Sequence, residues 1–248
     1  MIYNIYMSPT GSTQKVTSFV AEEFGEVTDI DLSVYHDDHH YEMNEKDLVV
    51  VGVPSFGGRV PAIAVKRLRR LKGHQTPAIL IATFGNRAYE DTLLELKESL
   101  EQYGFITIAA IASVCEHSIM HQFAKGRPNQ KDFNELLDFT KVIQERLTQP
   151  YQSIEVPGKH PYKEYHVIPL KPSASKLCNE CGLCARRCPV QAIDIQHPRQ
   201  TDKEKCISCM RCVKICPKQA RQLNPLLLAG ATQKLKKACQ SEKKNEFF

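Results

Sequence analysis

Cys178-Asn179-Glu180-Cys181-Gly182-Leu183-Cys184-Ala185-Arg186-Arg187-Cys188-Pro189 returns 28 residues later as Cys206-Ile207-Ser208-Cys209-Met210-Arg211-Cys212-Val213-Lys214-Ile215-Cys216-Pro217. Both runs read C-x2-C-x2-C-x3-C-P, and together they hold eight of the ten cysteines. Three thiolates spaced by two residues let one tight loop address three iron corners of a cubic iron–sulfur cluster. The rival reading is structural zinc, which takes its four ligands as two separated pairs rather than as complete quartets each closed by proline. Disulfides belong to small secreted chains and do not fit this context.

Over residues 175–220 these runs resemble the bacterial-type two-cluster ferredoxins. The resemblance implies two [4Fe-4S] clusters in a small α+β domain, with the last cysteine of each run ligating the other run's cluster. One cluster would then take Cys178, Cys181, Cys184 and Cys216, the other Cys206, Cys209, Cys212 and Cys188. Metal–sulfur bonds would replace much of the apolar core that so short a segment lacks.

The charge pattern agrees. The whole chain carries +5, but residues 1–172 hold 18 Lys and Arg against 22 Asp and Glu, while residues 173–248 hold 15 against 6. An oxidised tetrathiolate cube carries about −2, so two remove about four units of that excess. Arg186, Arg187, Arg211, Lys214 and Lys218 lie among or beside the cysteines. They suit stabilising the cluster anions, docking an acidic partner or domain, or simply a solvated face.

Working outward toward the N-terminus, residues 151–172 form a Pro-rich linker, since Pro150, Pro157, Gly158, Pro161, Pro169 and Pro172 deny helix and central strand. A segment of that length is expected to lie extended across a domain surface. The cysteine-rich domain spans 173–226. The tail, 227–248, reads as a short helix packed on the core with a frayed end.

Residues 1–150 alternate strand and helix patterns. Ile2–Tyr6, Val27–Leu32, Leu48–Val53, Ala78–Ala82 and Ile106–Val114 are apolar runs suited to strands buried on both faces. Ala64, Leu68 and Leu71 mark one helix, with Lys66, Arg67, Arg69 and Arg70 facing water and Gly73 as its stop. Leu93, Leu96, Leu100 and Tyr103 mark a second, and Phe133, Leu136, Leu137, Thr140, Ile143 and Leu147 a third. Strand–helix alternation predicts an α/β, doubly wound parallel sheet.

Three strand-end loops carry the chemistry. Ser8-Pro9-Thr10-Gly11-Ser12-Thr13 sets hydroxyls and a glycine before a helix, a phosphate cradle that also reads as a plain cap. It lacks a nucleotide-triphosphate loop's Gly-Lys-Ser/Thr ending, and no Gly-x-Gly-x-x-Gly occurs, so a small monophosphate fits best. Pro54-Ser55-Phe56-Gly57-Gly58-Arg59-Val60-Pro61 and Thr83-Phe84-Gly85-Asn86-Arg87-Ala88-Tyr89 each combine an aromatic ring with glycine at a strand's carboxyl end.

These loops and strands resemble the flavodoxin family over residues 1–150, and the whole chain resembles flavodoxin–ferredoxin fusion proteins. The resemblance implies a flavodoxin-like five-stranded sheet of order 2-1-3-4-5 and bound FMN. Ser8, Thr10, Gly11, Ser12 and Thr13 would hold the phosphate. Pro54, Ser55, Phe56, Gly57, Gly58 and Arg59 would line one side of the ring, and Thr83, Phe84, Gly85, Asn86, Arg87 and Tyr89 the other. The chain has no Trp, so Phe56, Phe84 or Tyr89 must face the ring, or one face stays open. Arg59 and Arg87 would favour the anionic reduced ring. Gly57-Gly58 either makes the turn before a helix opened by Pro61 or lets a carbonyl swing toward the flavin N5.

The implied function is electron transfer between two [4Fe-4S] clusters and FMN, served by a redox partner protein such as a ferredoxin, a flavodoxin or an oxidoreductase. A ferredoxin-linked FMN reductase of a quinone or nitro compound, and a redox sensor, are the alternatives. No nucleic-acid motif occurs, no apolar run approaches a membrane span, and Met1–Ser8 has no signal-peptide pattern, so a cytoplasmic protein is expected. His36-Asp37-Asp38-His39-His40 reads as a solvated loop before a metal site. Glu116-His117-Ser118 reads as an ordinary loop, or as a proton donor at the flavin edge. Cys115 reads as buried and apolar, Cys239 as an incidental tail thiol.

Overall fold

The computed structural model describes residues 1–35, 40–166 and 168–248. The possible metal site at His36–His40 falls largely on residues 36–39, outside the described ones. In chain order the elements are β1 (Ile2–Tyr6), α1 (Ser12–Glu22), β2 (Val27–Asp31), β3 (Tyr41–Met43), β4 (Leu48–Pro54), α2 (Ala62–Leu68), β5 (Leu71–Gly73), β6 (Thr76–Phe84) and α3 (Thr92–Glu101). They continue with β7 (Phe105–Val114), α4 (Gln130–Arg146), β8 (Ser173–Ala174), α5 (Leu183–Arg186), α6 (Arg211–Lys214), β9 (Arg221–Gln222), α7 (Pro225–Lys236) and β10 (Glu246–Phe247).

The main sheet runs β10-β7-β6-β4-β1-β2. Its five N-terminal strands are parallel and reproduce the 2-1-3-4-5 order of a flavodoxin-like fold. Alternation along β4 shows why helices cover both faces. Val49, Val51 and Val53 pack with Leu68, Leu93, Leu96 and Leu100 of α2 and α3. Leu48 and Val50 pack with Val16, Val20, Leu136 and Ile143 of α1 and α4. Gly52 lets α1 sit close on the sheet, since a Cβ there would stand 2.1 Å from Thr17 Cγ2. The helix α4 opens on a capping box: Asn129 Oδ1 accepts the Asp132 N–H, and Asp132 Oδ2 accepts the Asn129 N–H.

Three expectations are corrected. The sheet has a sixth strand, because the tail does not fray: Glu246 and Phe247 pair antiparallel with Ala112 and Ile111 of β7. The helix expected to run through Leu71 ends at Leu68, and Leu71–Gly73 becomes β5, paired with β3 beside the main sheet. Arg67 does not face water. It is 4% exposed, donating from Nη1 to the Leu32 carbonyl and from Nη2 to the Pro189 carbonyl at 2.7 Å. A buried guanidinium must satisfy its donors, and these two bonds tie the sheet to the cysteine-rich segment.

The linker lies across the sheet unit as an extended strap. Ile154 N–H donates to the Thr107 carbonyl at 3.0 Å. Asp91 accepts the Lys159 and Lys163 N–H groups at 3.0 and 2.7 Å. The cysteine-rich segment repeats its backbone as well as its sequence. Left-handed φ values recur 28 residues apart, at Glu180 and Ser208, Gly182 and Met210, and Gln191 and Gln219. The helices α5 and α6 share that spacing, and a two-stranded antiparallel β8–β9 closes the α+β unit.

Candidate functional site

The loops after β1, β4 and β6 open at the same sheet end, and the winding reverses between the neighbouring strands β1 and β4. They border a cavity of about 720 Å³. From the first loop Thr10, Ser12 and Thr13 line it. The helix α1 starts at Gly11 with no side-chain cap and no acidic residue in its first turn. The Gln14 N–H is taken by Ser8, so the Ser12 and Thr13 N–H groups at this unacidified helix start are the ones that suit a phosphate. Ser8 stands behind them: its Oγ accepts the Gln14 N–H at 2.9 Å, and its N–H donates to Ser33 Oγ at 2.8 Å. The Thr13 and Thr83 hydroxyls bond each other at 2.7 Å, locking the first loop to the third.

Pro54, Ser55, Phe56 and Gly57 line the cavity from the second loop. Phe56 and Arg59 exchange both backbone hydrogen bonds around Gly57-Gly58, whose φ values of 65° and 91° make the two-residue hairpin turn that demands glycine. Gly58 is outside the wall, and a Cβ there would strike Glu90. Arg59 also turns away. Its Nε and Nη2 each bond Glu95 at 2.8 Å, Nη1 donates to the Lys163 carbonyl, and the guanidinium sits 4.7 Å over the Tyr162 ring.

Thr83, Phe84, Gly85 and Arg87 line the third side. Arg87 is held by Glu90 at 3.0 Å. Asn86 and Tyr89 are absent from the wall because the tail claims them. Asn86 bonds the backbone of Cys239, Ser241 and Lys243, and Tyr89 Oη donates to Glu246 Oε2 at 2.7 Å. Cys239 is therefore no incidental thiol; it is buried where the tail docks.

Four further segments complete the wall: the loop after β7, linker residues 163–166 and 168–170, the stretch from Ile207 to Cys209, and the inner face of α7. The sequence offered His117 as an ordinary loop residue or a proton donor at the flavin edge, and gave no sign of Ile119, Met120 and the α7 face. His117 Nδ1 accepts the Ile119 and Met120 N–H groups, both at 3.1 Å. That fixes the neutral tautomer with its proton on Nε2. Burial, then the cations of His121 and Arg87, push its pKa down to about 4. Neighbouring Glu116 instead ties its own loop, accepting from Gly126 N at 2.8 Å and pairing with His121. Cys115 is buried in the core beneath, as read, with burial raising its pKa to about 12.

The cysteines ring two smaller cavities. Cys188, Cys206, Cys209 and Cys212 line one, and Cys178, Cys181, Cys184 and Cys216 the other. These are the crossed sets. Among the described residues no three His, Cys, Asp or Glu gather as a single metal ion requires; thiols set around a space suit a polynuclear body. Each cavity is also lined by an arginine with a buried, unpartnered nitrogen: Arg211 Nη1 at the first and Arg221 Nε at the second. Orphaned guanidinium nitrogens facing thiols fit an anionic group. Arg221 lies past both cysteine runs, in β9, so spacing gave no signal for it. Its Nη2 approaches Cys184 Sγ at 3.6 Å. The Ala192 and Ala220 N–H groups donate to Cys188 and Cys216 sulfurs at 3.2 and 3.3 Å, again 28 residues apart.

The first four-cysteine set meets the large cavity, since Ile207, Ser208 and Cys209 are part of that wall. Ser208 Oγ donates to the Ile168 carbonyl at 2.8 Å, and Arg211 faces Asp31 at 3.8 Å.

Fold and site define a flavodoxin-like α/β unit joined to a small iron–sulfur ferredoxin unit. Residues 177–220 match the 4Fe-4S dicluster domain family. Among solved structures, the chain is similar to the rubredoxin oxygen:oxidoreductase of the anaerobe Desulfovibrio gigas, at 18% identity over 59% of this chain and 36% of that one, TM-score 0.40. It is similar to oxidised flavodoxin 1 from Bacillus cereus, at 16% identity over 58% and 97%, TM-score 0.42. A flavodoxin from Streptococcus pneumonia TIGR4 aligns at 15% over 58% and 98%, TM-score 0.42. The chain thus spans about a third of the first of these proteins. At such scores the fold rests on strand order and connections, not on these likenesses. No curated protein matches the chain. No helix among the described residues is long and apolar enough to cross a membrane.

Proposed function

We propose that this protein relays electrons between an external one-electron partner and FMN through two [4Fe-4S] clusters. The observation that carries the reading is Cys209, which borders both the four-cysteine cavity and the large cavity at the strand ends. The cluster held by Cys188, Cys206, Cys209 and Cys212 is then the inner one, next to the flavin. The cluster held by Cys178, Cys181, Cys184 and Cys216 is the outer one. Its ligand Cys181 is exposed, and Leu177, next to Cys178 in the chain, is 68% exposed.

FMN, when bound, supplies the conversion between one- and two-electron chemistry. Thr10, Ser12 and the start of α1 hold its phosphate. Phe56 and Gly57 on one side, with Phe84, Gly85 and Arg87 on the other, orient its ring. Basic residues around the outer cluster, among them Lys176, Arg186, Arg187 and Lys218, suit docking of an acidic redox protein.

Anaerobic purification of the full chain tests this, with about eight irons and one FMN expected per chain. In Cys209→Ala the inner cluster is lost, the outer cluster keeps its electron-paramagnetic signal, and flavin reduction through the clusters stops. A colourless or zinc-loaded, flavin-free protein overturns the reading.

A further inference from the structure

We propose that the part of the large cavity beneath α7 is a second binding site, for a planar, largely apolar molecule bearing carbonyl oxygens, the quinone class, seated beside the flavin. The proposal rests on the flavin reading above and names the acceptor that this site serves.

A flavin at this sheet end needs a phosphate cradle and ring walls, and the three strand-end loops supply both. Much of the remaining wall is apolar and comes from segments outside those loops, with Ile119, Met120, Leu170, Leu227, Ala231 and Leu235 beside the charged Lys163, Glu164 and Lys234. At about 720 Å³ the space lies in the upper part of the range of about 300–1,000 Å³ that single ligands occupy.

Gly230 points the same way. It lines the cavity in the middle of α7, and a Cβ there would meet nothing within 4 Å. Glycine inside a helix costs about 1 kcal/mol relative to alanine. No close backbone contact requires it, so its effect is to leave volume open. At the rim, Leu226 and Leu227 are 82% and 59% exposed, an apolar lip suited to a molecule with little charge.

A neutral donor belongs to this wall. With Nδ1 accepting from two backbone N–H groups, the His117 ring that lines the chamber keeps its Nε2–H to donate. A neutral donor beside apolar side chains matches a carbonyl acceptor. Reduction would convert two carbonyl groups to two hydroxyls. Two electrons come singly from the external one-electron protein through the clusters, two protons come from water, and two O–H bonds form.

The test uses the full chain prepared anaerobically, with iron and FMN counted, titrated with 2-methyl-1,4-naphthoquinone while bound-flavin absorbance is followed. Saturable perturbation is expected, weakened at least tenfold in Gly230→Phe with FMN and iron per chain unchanged, and kept in Gly230→Ala. His117→Leu should weaken binding about five-fold without loss of flavin. Absence of saturable binding in the natural chain overturns the proposal, as does Gly230→Phe that binds the quinone unchanged. Gly230→Phe that expels FMN overturns it as well, because the flavin then fills the chamber alone. A chain with clusters and no flavin defeats the earlier reading instead, so the two failures are distinguishable.

Discussion

The side-chain amide of Asn86 clasps the backbone at Cys239: its Nδ2 donates to the Cys239 carbonyl at 2.9 Å across 153 residues of sequence. The same amide reaches Ser241 O at 3.0 Å and accepts the Lys243 N–H at 2.9 Å. A loop beside the large cavity at the strand ends is thereby fastened to the segment that follows α7. Asn245 extends the clasp, accepting the Val114 N–H at 2.9 Å and donating to Asp132 and Glu135.

Asn86→Ala should loosen both ends of that clasp. Asn86 has φ 63°, a left-handed conformation that costs alanine about 1 kcal/mol. The substitution also strands backbone groups, each worth about 1 kcal/mol. A loss of about 2–4 kcal/mol in denaturant unfolding of the full chain is expected, together with several-fold weaker FMN retention on dialysis. Unchanged stability would show that the tail docks without this residue.

Arg221→Gln should make the outer cluster harder to reduce. The guanidinium lies beside Cys184 Sγ and is buried, so it favours the more negative, reduced state. Removing a cation a few ångströms away is expected to lower that cluster's potential by on the order of tens of millivolts. The inner cluster, beside Arg211, should hold its value. Anaerobic potentiometry with paramagnetic resonance reads the two separately.

His117 predicts a pH dependence of stability. Burial pushes its pKa in the fold down from the usual 6.5 to about 4, so between these values the unfolded chain binds more protons than the folded one. Its contribution is full above about pH 6.5 and is lost as pH falls toward 4, by about 3 kcal/mol at most. His117→Gln should flatten the unfolding free energy across that window while leaving it sloped below pH 4, where carboxylates such as Asp132 titrate. Their folded pKa values are also depressed, Asp132 being held by the Arg127 guanidinium despite the opposing effect of burial.

Asp91→Ala should free the linker. One carboxylate holds the Lys159 and Lys163 N–H groups, and its loss removes about 1–2 kcal/mol of local protection. Trypsin cleavage after these two lysines is expected to quicken about tenfold under native conditions. Equal cleavage rates would place the strap's anchorage elsewhere, for instance at Arg59 and Tyr162.

The strands were legible because apolar β runs and strand-end glycines carry local signals with a fixed period, whereas their order followed only from the flavodoxin resemblance. Strand existence needs only neighbours in sequence, and so does the start of α1. Arg67 and the end of α2 were not legible: five basic residues in seven, from Lys66 to Lys72, look like a solvated face until Pro189 is brought against one of them. Nor were Arg59, Asn86 and Tyr89. Their residue types suited a flavin wall, but Glu95, Lys163, the tail backbone and Glu246 took up their donors.

Sequence alone pointed to the eight cysteines of the two duplicated runs, because ligand spacing within a loop is short-range geometry, and the structure gathers them as two sets of four around separate cavities. Sequence also determined the parallel sheet, through the two-sided burial of its strands. Only the tertiary structure decided which cysteine set adjoins the large cavity, that α7 and the linker complete the cavity wall, and that the last residues add a strand to the sheet. Those relationships join segments more than a hundred residues apart, and contact at that separation is set by packing and hydrogen-bond satisfaction, which no local pattern encodes.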